Sequence, residues 1–344
     1  MSNSVDSTAS PHSPRPHPAA SGLLLGAGAY TIWGLFPAFW PLLGPAGSVE
    51  ILAHRIGWTM VFMIGGLLLF GRWSRLRELS ARSWLLVSAA AVLIAINWGT
   101  YIYGVTSGQV VETALGYFIN PLVSMVLGVA VLNERLRPMQ WVAVVIAALA
   151  VIVLTMKFGS VPVLALVLAL SFGVYGLIKK TVPMDSATSL TAESLVLGPL
   201  AIGYLVFLAA VGTGTFAQHG LWHALLLVSA GPVTALPLLM FGTAARRLPM
   251  VTLGALQYLA PILQFAWGVL VLHEPMPPER WLGFALVWLA LVVFTVDGAL
   301  TAHQARRRLV YRAPAASEVV VDEPVRDEDE AVSSSAQAAE QPRT

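Results

Sequence analysis

The chain has 344 residues, of which 57% are hydrophobic and only 11% are charged, and its formal net charge at pH 7 is +2. Since soluble domains carry about a quarter charged residues, this composition excludes an ordinary water-soluble globular protein. The chain has no cysteine, which excludes disulfides, thiol catalysis and cysteine-bound metal sites.

The chain begins with a polar tail. Residues 1–21 are rich in proline and serine, and they lack the charged start and short apolar core of a cleaved signal peptide. The sequence therefore predicts a disordered N-terminal tail over 1–21. Residues 301–344, which include the acidic run from Asp322 to Glu330, are predicted to form a second disordered tail.

Ten apolar segments lie between these tails, and each is close to the length of about 20 residues that spans a bilayer as a helix. Their runs are continuous, whereas barrel strands would alternate in polarity over about ten residues. The sequence thus predicts an all-α integral membrane protein with ten transmembrane helices. The segments are 22–42, 51–71, 84–104, 108–132, 138–156, 160–178, 190–211, 222–242, 249–272 and 278–300.

The basic residues predict the orientation of these segments, because positively charged loops stay in the cytoplasm. Lysine and arginine concentrate in every second loop, so both termini are expected inside. Because the predicted cytoplasmic loops account for the basic residues of the chain, we expect no nucleic-acid partner. The basic loops contain Arg72, Arg75, Arg77, Arg82, Arg135, Arg137, Lys179, Lys180, Arg246, Arg247, Arg306, Arg307 and Arg308, whereas the opposite loops contain Lys157 and Arg280.

The chain repeats itself at an offset of 140 residues, so that Asn120–Thr155 aligns without a gap with Ala260–Thr295. This predicts two five-helix repeats, over 22–157 and 158–300. Because five is odd, the second repeat must cross the membrane in the inverted sense, as in many secondary transporters. The matched pairs are Pro121 with Pro261, Gly128 with Gly268, Glu134 with Glu274, Pro138 with Pro278 and Trp141 with Trp281.

Prolines interrupt matching segments of the two repeats. Pro121 and Pro261 lie near the middle of the fourth and ninth segments, and Pro237 in the eighth segment corresponds to Asn97 in the third. Proline removes a helical hydrogen bond, so these positions are predicted helix breaks. Broken helices at this depth are tolerated where they line a cavity, although kinks for packing are the alternative.

Polar side chains accompany these breaks and are candidate substrate ligands: Asn97, Tyr101, Asn120, Gln257 and Gln264. By helical spacing Asn97 and Tyr101 share a face of the third segment, and Gln257 and Gln264 share a face of the ninth with Pro261. Asn120 lies on one face of the fourth segment with Gln109, Glu112 and Gly116. Hydrogen bonding between helices is the alternative interpretation, and both interpretations require the side chains to face inward.

Charges inside the segments are costly in a bilayer and therefore indicate function or pairing. Arg55 and Glu112 lie at similar depths on the external side, so we hypothesise an ion pair that orders the site or opens during transport. Arg55 would also favour an anionic solute. Glu193 lies at the depth of Lys179 and Lys180 on the cytoplasmic side, and is a second candidate for pairing or coupling. For Arg55 and Glu112, the alternatives are a static structural pair or an arginine that snorkels to the headgroups.

Motifs for other chemistry are absent from the sequence. It has no phosphate-binding loop, no H-E-x-x-H and no G-x-S-x-G, so we expect neither an enzyme nor a bound cofactor. His219 and His223 have helical metal-ligand spacing without a third ligand nearby, so no metal is expected. An intramembrane enzyme acting on lipid-linked substrates, or a receptor or scaffold without transport, are the competing function classes.

Five motifs resemble the drug/metabolite transporter superfamily, and within its EamA family the RarD branch: EILAHR from Glu50, INW from Ile96, LGYFINPL from Leu115, VLNERLRPMQW from Val131 and ESLVLGPL from Glu193. The resemblance covers about residues 22–298. It implies a plasma-membrane carrier, often an exporter, of small organic metabolites or drugs, with a cavity lined by the third, fourth, eighth and ninth segments. The first segment lacks the carboxylate that small relatives use for proton exchange, so any coupling to protons would require Glu112 or Glu193.

Overall fold

The computed structural model of the protein describes residues 18–133, 135–158, 161–181, 184–248, 252 and 256–312. Most of both predicted tails, and Glu134 of the repeat, lie outside these residues. The described residues up to Ala299 belong to one compact unit and those from Leu300 onward to a second. The last helix continues to Arg312, so residues 301–312 of the predicted C-terminal tail are helical.

The described residues contain helices and no strand, as the composition predicts. A 3₁₀ turn, Trp40–Leu43, follows α2, and a π-helical turn, Trp267–Val271, follows α11. The helices are α1 Pro18–Gly34, α2 Phe36–Phe39, α3 Ser48–Leu69, α4 Ser74–Arg77, α5 Ala81–Thr106, α6 Val110–Leu132, α7 Pro138–Phe158, α8 Val163–Thr181, α9 Ser186–Ala210, α10 Gly220–Ala245, α11 Leu259–Ala266 and α12 Pro278–Arg312.

Seven of these helices are long and apolar enough to cross a membrane, and an eighth span is counted if α1 and the segment Phe36–Leu43 form one span bent by 43°. Two shorter apolar helical stretches, Val163–Lys179 and Leu259–Val271, occupy the positions of the sixth and ninth predicted segments. The described residues therefore contain seven or eight helices that could span a membrane by length and composition, and the count of ten stays a prediction.

Helices at equivalent positions of the two predicted halves make equivalent contacts. Helix α8 packs against α5 and α6, and its counterpart α1 packs against their counterparts α10 and α11. Likewise α3 packs against α10, and its counterpart α9 packs against α5, while α3 and α9 pack against each other. The two sets of contacts correspond, while the division into two repeats stays a prediction.

Two turns share a rare backbone conformation. Asn133 and His273 have φ angles of 54° and 52°, and they are the only non-glycine residues with positive φ in the described part of the chain. The left-handed region is strained for residues with a Cβ atom, so it is rarely used twice by chance. The two positions are 140 residues apart, which is the offset of the sequence repeat.

Glycine allows the closest helix approaches. A Cβ atom at Gly231 of α10 would lie 2.5 Å from the backbone carbon of Trp58 in α3, and one at Gly116 of α6 would lie 2.8 Å from the carbonyl oxygen of Ala165 in α8. Small residues let helix backbones approach in this way within membranes. Helix α10 is therefore in close contact with the backbone of α3, and helix α6 with that of α8.

Asp185 caps the start of α9. Its Oδ1 accepts hydrogen bonds from the backbone N–H groups of Ala187 and Thr188, and its Oδ2 lies 2.9 Å from Nη1 of Arg75. Burial raises the pKa of this carboxyl, but the hydrogen bonds of Thr188 and Arg75 outweigh burial and hold the pKa below its ordinary value.

We expect Asp185→Ala to lower the free energy of unfolding by about 1–2 kcal/mol at pH 7, the usual effect of losing an N-cap. Because the pKa is lower in the folded state, this contribution is present above the unfolded pKa and is lost as the pH falls below it. SDS-induced unfolding of the wild type and the variant, at pH 7 and in acid, measures both. Asp185→Asn, which keeps a capping oxygen, is the control, and a difference that persists unchanged in acid would contradict the prediction.

Candidate functional site

Arg55 lies in α3 and is enclosed by aromatic rings. Its guanidinium carbon is 3.9 Å from the ring centroid of Trp98, 4.9 Å from that of Trp40 and 5.6 Å from that of Phe36. Only 3% of the residue is exposed. Aromatic faces attract cations, and they do so more strongly where water is excluded. The rings thus offset part of the cost of burying this charge.

Two of the three guanidinium nitrogens of Arg55 make no hydrogen bond to the described residues. Its Nε and Nη1 are buried and have no hydrogen-bond partner, and no carboxylate of the described residues lies within ion-pair distance. Trp40 Nε1 and the hydroxyl of Tyr101 are also buried without a partner, and Phe36 contacts the rings of both residues. Such groups are normally paired, so this cluster can take an anionic group.

The expected ion pair between Arg55 and Glu112 is not formed. Glu112 Oε1 instead accepts the backbone N–H of Leu164 at 3.1 Å, at the start of α8. A carboxylate is favourable there because the first N–H groups of a helix are unpaired and carry partial positive charge. Glu112 therefore caps a neighbouring helix while Arg55 faces the rings.

Asn97 is 1% exposed and is fully engaged with protein groups. Its Nδ2 donates to the carbonyl of Leu168 at 3.0 Å and to Ser171 Oγ at 3.1 Å, and its Oδ1 accepts from the hydroxyl of Tyr117. In this conformation Asn97 links α5, α6 and α8. Sequence reasoning missed Tyr117, although it lies in α6 only three residues before Asn120.

Two other predicted ligands keep free acceptors. Asn120 Oδ1 is buried without a partner, and Gln264, 2% exposed, donates from Nε2 to the carbonyl of Trp33 at 3.0 Å while its Oε1 has none. Asn120 and Gln264 lie on α6 and α11, which pack together. Gln257 is half-buried in the turn before α11. The free oxygens can accept hydrogen bonds from a solute.

The predicted helix breaks at Pro121 and Pro237 are wrong, because both residues lie inside continuous helices, α6 and α10. One proline removes a single backbone hydrogen bond, and the neighbouring bonds and packed helices can hold the helix together. Helix α11 begins only at Leu259, so Pro261 lies in its first turn, just after a non-helical turn at Gln257. All three prolines are buried in the protein.

Glu193 in α9 is 2% exposed and lies 2.6 Å from Lys179 Nζ at the end of α8. It also accepts hydrogen bonds from Ser189 Oγ and the hydroxyl of Tyr175, and Lys179 contacts Ser189 as well. The side chain of Lys180, which has the same predicted depth, lies outside the described residues. Tyr175 and Ser189 are the members of this cluster that sequence reasoning missed.

We expect Lys179→Met to lower the free energy of unfolding by about 2 kcal/mol, because it leaves the buried carboxylate of Glu193 without a cation. The loss is smaller than for a fully buried pair, since the lysine side chain is 30% exposed. SDS-induced unfolding measures it. The double variant Lys179→Met, Glu193→Leu removes both charges and should recover most of the loss; a double variant no more stable than the single one would contradict this.

Glu274, in the loop after the π-helical turn, joins two distant parts of the chain. Its Oε1 and Oε2 accept the backbone N–H groups of Val110 and Val111 at 2.6 and 3.0 Å, at the start of α6. Burial raises the pKa of this carboxyl above its ordinary value, against the lowering effect of those two hydrogen bonds. The contact fixes the loop before α12 to the helix that carries Asn120.

Comparison with known proteins identifies one transporter family and several relatives that match most of this chain. The model of the EamA-like transporter family matches residues 20–156. Protein RarD of Streptomyces exfoliatus is 54% identical over 296 residues, which cover 86% of this chain and 94% of the relative. The uncharacterized transporter YojE of Bacillus subtilis is 44% identical over 80% of this chain and 93% of its own, and Protein RarD of Escherichia coli is 40% identical over 81% and 95%.

A solved crystal structure of a protein also resembles this chain. It has a TM-score of 0.53 and covers 80% of this chain and 97% of its own, at 17% sequence identity. At that identity the likeness shows a shared fold.

Proposed function

Because this chain belongs to the EamA-like transporter family, in its RarD branch, we propose that it is a secondary transporter that exports small organic solutes across the plasma membrane by alternating access. We further propose that its solutes carry a carboxylate or another anionic group. The observation that supports this most strongly is the buried guanidinium of Arg55, which has no anionic partner in the described residues.

The chemistry around Arg55 favours an anion over a neutral solute. A guanidinium favours an anionic partner, and its Nε and Nη1, which point to different edges of the group, are both free to donate hydrogen bonds to one. Trp40 Nε1 and the Tyr101 hydroxyl are further buried donors. An anion would therefore satisfy groups that otherwise carry an uncompensated desolvation cost.

Acceptors on other helices favour a solute that also has hydrogen-bond donors. Asn120 Oδ1 on α6 and Gln264 Oε1 on α11 are buried oxygens that have no hydrogen-bond partner among the described residues. An amino or hydroxy acid has both an anionic group for Arg55 and donors for these oxygens. Asn97 and Gln257 would contribute after rearrangement, since Asn97 is held by protein groups in this conformation.

Two inverted five-helix halves would provide alternating access by moving against each other. The repeated helix contacts and the matched turns at Asn133 and His273 support such halves. On the proposed topology, the contact of Glu274 with α6 lies outside and the ion pair of Lys179 with Glu193 lies inside. Both would have to change during the cycle, and Glu193 is our candidate for coupling to protons.

Flux into proteoliposomes containing the purified protein tests this function. A panel of amino acids, nucleosides and amphenicols is supplied with and without a pH gradient. We expect saturable uptake of carboxylate-bearing solutes, and we expect Asn120→Ala and Gln257→Ala to reduce it. Uptake no greater than in empty liposomes for every anionic solute would contradict the proposal, and unchanged uptake in both variants would remove these residues from the site.

A further inference from the structure

A cleft that Arg55 does not line lies between α3, the C-terminal part of α9 and the segment before α10. Its volume is about 460 Å³, within the range of small-molecule sites. Glu50, His54, Gly57 and Trp58 line it from α3, and Phe216 lines it from the segment before α10. We call it the α3–α9 cleft.

One end of the α3–α9 cleft holds a buried carboxylate. Glu50 is 6% exposed, and its Oε1 accepts hydrogen bonds from the backbone N–H and the hydroxyl of Thr215, at 2.7 and 3.0 Å. Since that hydroxyl gives its only hydrogen to Glu50, His223 Nε2, 2.8 Å from Thr215 Oγ1, must be the donor of their bond. No lysine or arginine of the described residues forms an ion pair with Glu50.

Aromatic rings stand beside this carboxylate. The rings of His54 and Trp58 stack with Phe216, at centroid distances of 5.1 and 6.2 Å. Trp58 Nε1 donates to His54 Nδ1, so a neutral His54 carries its hydrogen on Nε2, which is buried without a partner. The cleft thus combines an anion without a cation, aromatic faces and an unused donor.

The middle of the cleft is open because residue 57 is a glycine. A Cβ atom built on Gly57 meets no heavy atom within 4 Å, although the residue is buried. The wall on the α9 side is apolar and includes Val206. A side chain added at Gly57 would therefore enter the cleft without displacing protein atoms.

We propose that the α3–α9 cleft binds a lipophilic amine or quaternary ammonium compound, with its cation at Glu50 beside the rings of Trp58 and Phe216 and its apolar body along α9. A carboxylate next to aromatic faces is the combination that recognises ammonium groups. A phospholipid is a poorer occupant, because no lysine or arginine lines the cleft to bind its phosphate. The site is separate from Arg55 and prefers the opposite charge.

Binding of matched probes to the full chain in dodecyl maltoside tests this proposal. The probes are trimethylammonium-diphenylhexatriene and neutral diphenylhexatriene, followed by energy transfer from tryptophan. We expect saturable binding of the cation, at least about tenfold weaker in Gly57→Leu, which fills the cleft, and in Glu50→Gln, which removes its charge. Gly203→Leu in α9 is the control, since Gly203 also has open space around its Cβ position and does not line the cleft.

Three outcomes would overturn the proposal. These are unchanged binding of the cation in Gly57→Leu, equal affinity for the neutral probe, and displacement of the cation by phosphatidylethanolamine but not by phosphatidylglycerol, which would identify a lipid site. Size-exclusion chromatography checks that each variant is folded. Glu50→Gln could fail to fold because Glu50 also accepts hydrogen bonds from Thr215. In that case Gly57→Leu alone tests the proposal.

Discussion

Arg55→Met is expected to reduce uptake of carboxylate-bearing solutes about 100-fold while the protein stays folded. Methionine keeps an apolar side chain among Trp98, Trp40 and Phe36 and removes only the charge. Losing one partner of a buried charge pair costs about 2–5 kcal/mol, which corresponds to about 30- to 4000-fold. Initial uptake rates in proteoliposomes, with equal amounts of reconstituted protein, measure the effect.

Arg55→Lys is the matched control for this prediction. Lysine keeps the charge but cannot form two parallel hydrogen bonds to a carboxylate, so an intermediate loss of about tenfold is expected. In the free protein, removing an unpaired buried charge should leave resistance to SDS unchanged or higher. Wild-type uptake by Arg55→Met would contradict a role of Arg55 in solute binding. A loss of uptake explained by lower stability would instead assign Arg55 a structural role.

Glu274→Ala is expected to have the largest effect on stability, lowering the free energy of unfolding by about 3 kcal/mol. It removes two hydrogen bonds from a carboxylate to the backbone at the start of α6, and hydrogen bonds to charged groups contribute about 1.5–3 kcal/mol each. It also leaves the N–H groups of Val110 and Val111 unpaired at a helix N-terminus. SDS-induced unfolding of the purified protein measures the change.

Two further variants isolate the role of this carboxylate. Glu274→Gln keeps one acceptor oxygen and avoids the cost of burying a charge, so it should lose less than the alanine variant. Glu78→Ala, at an exposed carboxylate after α4, should have no measurable effect. Equal stabilities for Glu274→Ala and Glu78→Ala would show that the contact contributes nothing.

Apolar run length predicts where helices lie, because a bilayer requires nearly continuous apolar segments. The segment predicted at 138–156 is α7, Pro138–Phe158, and the one at 222–242 lies within α10, Gly220–Ala245. The segment at 249–272 fits less well, since its described residues contain a turn at Gln257, the short α11 and a π-helical turn. Turns and π-helical hydrogen bonds depend on the packing of neighbouring helices, so the hydropathy of the sequence does not predict them.

The sequence predicts depth in the membrane but does not predict which residues are neighbours. It predicts similar depths for Arg55 and Glu112, which suggests a pair, yet the two side chains contact different helices. The sequence also predicts similar depths for Glu193 and Lys179, and these two side chains do form an ion pair. The sequence also marks Trp98 as a membrane residue without indicating that its ring lies on Arg55. Such contacts follow from helix packing, which the spacing within one helix does not determine.

The central claim, that two five-helix halves cross the membrane in opposite directions around the solute site, is tested most directly by cysteine labelling. The chain has no native cysteine, so Asn133→Cys and His273→Cys each provide one reactive thiol in an exposed turn. With a membrane-impermeant maleimide added to intact cells, we predict labelling of His273→Cys at once and of Asn133→Cys only after permeabilisation. Labelling of both variants from the same side would contradict the account.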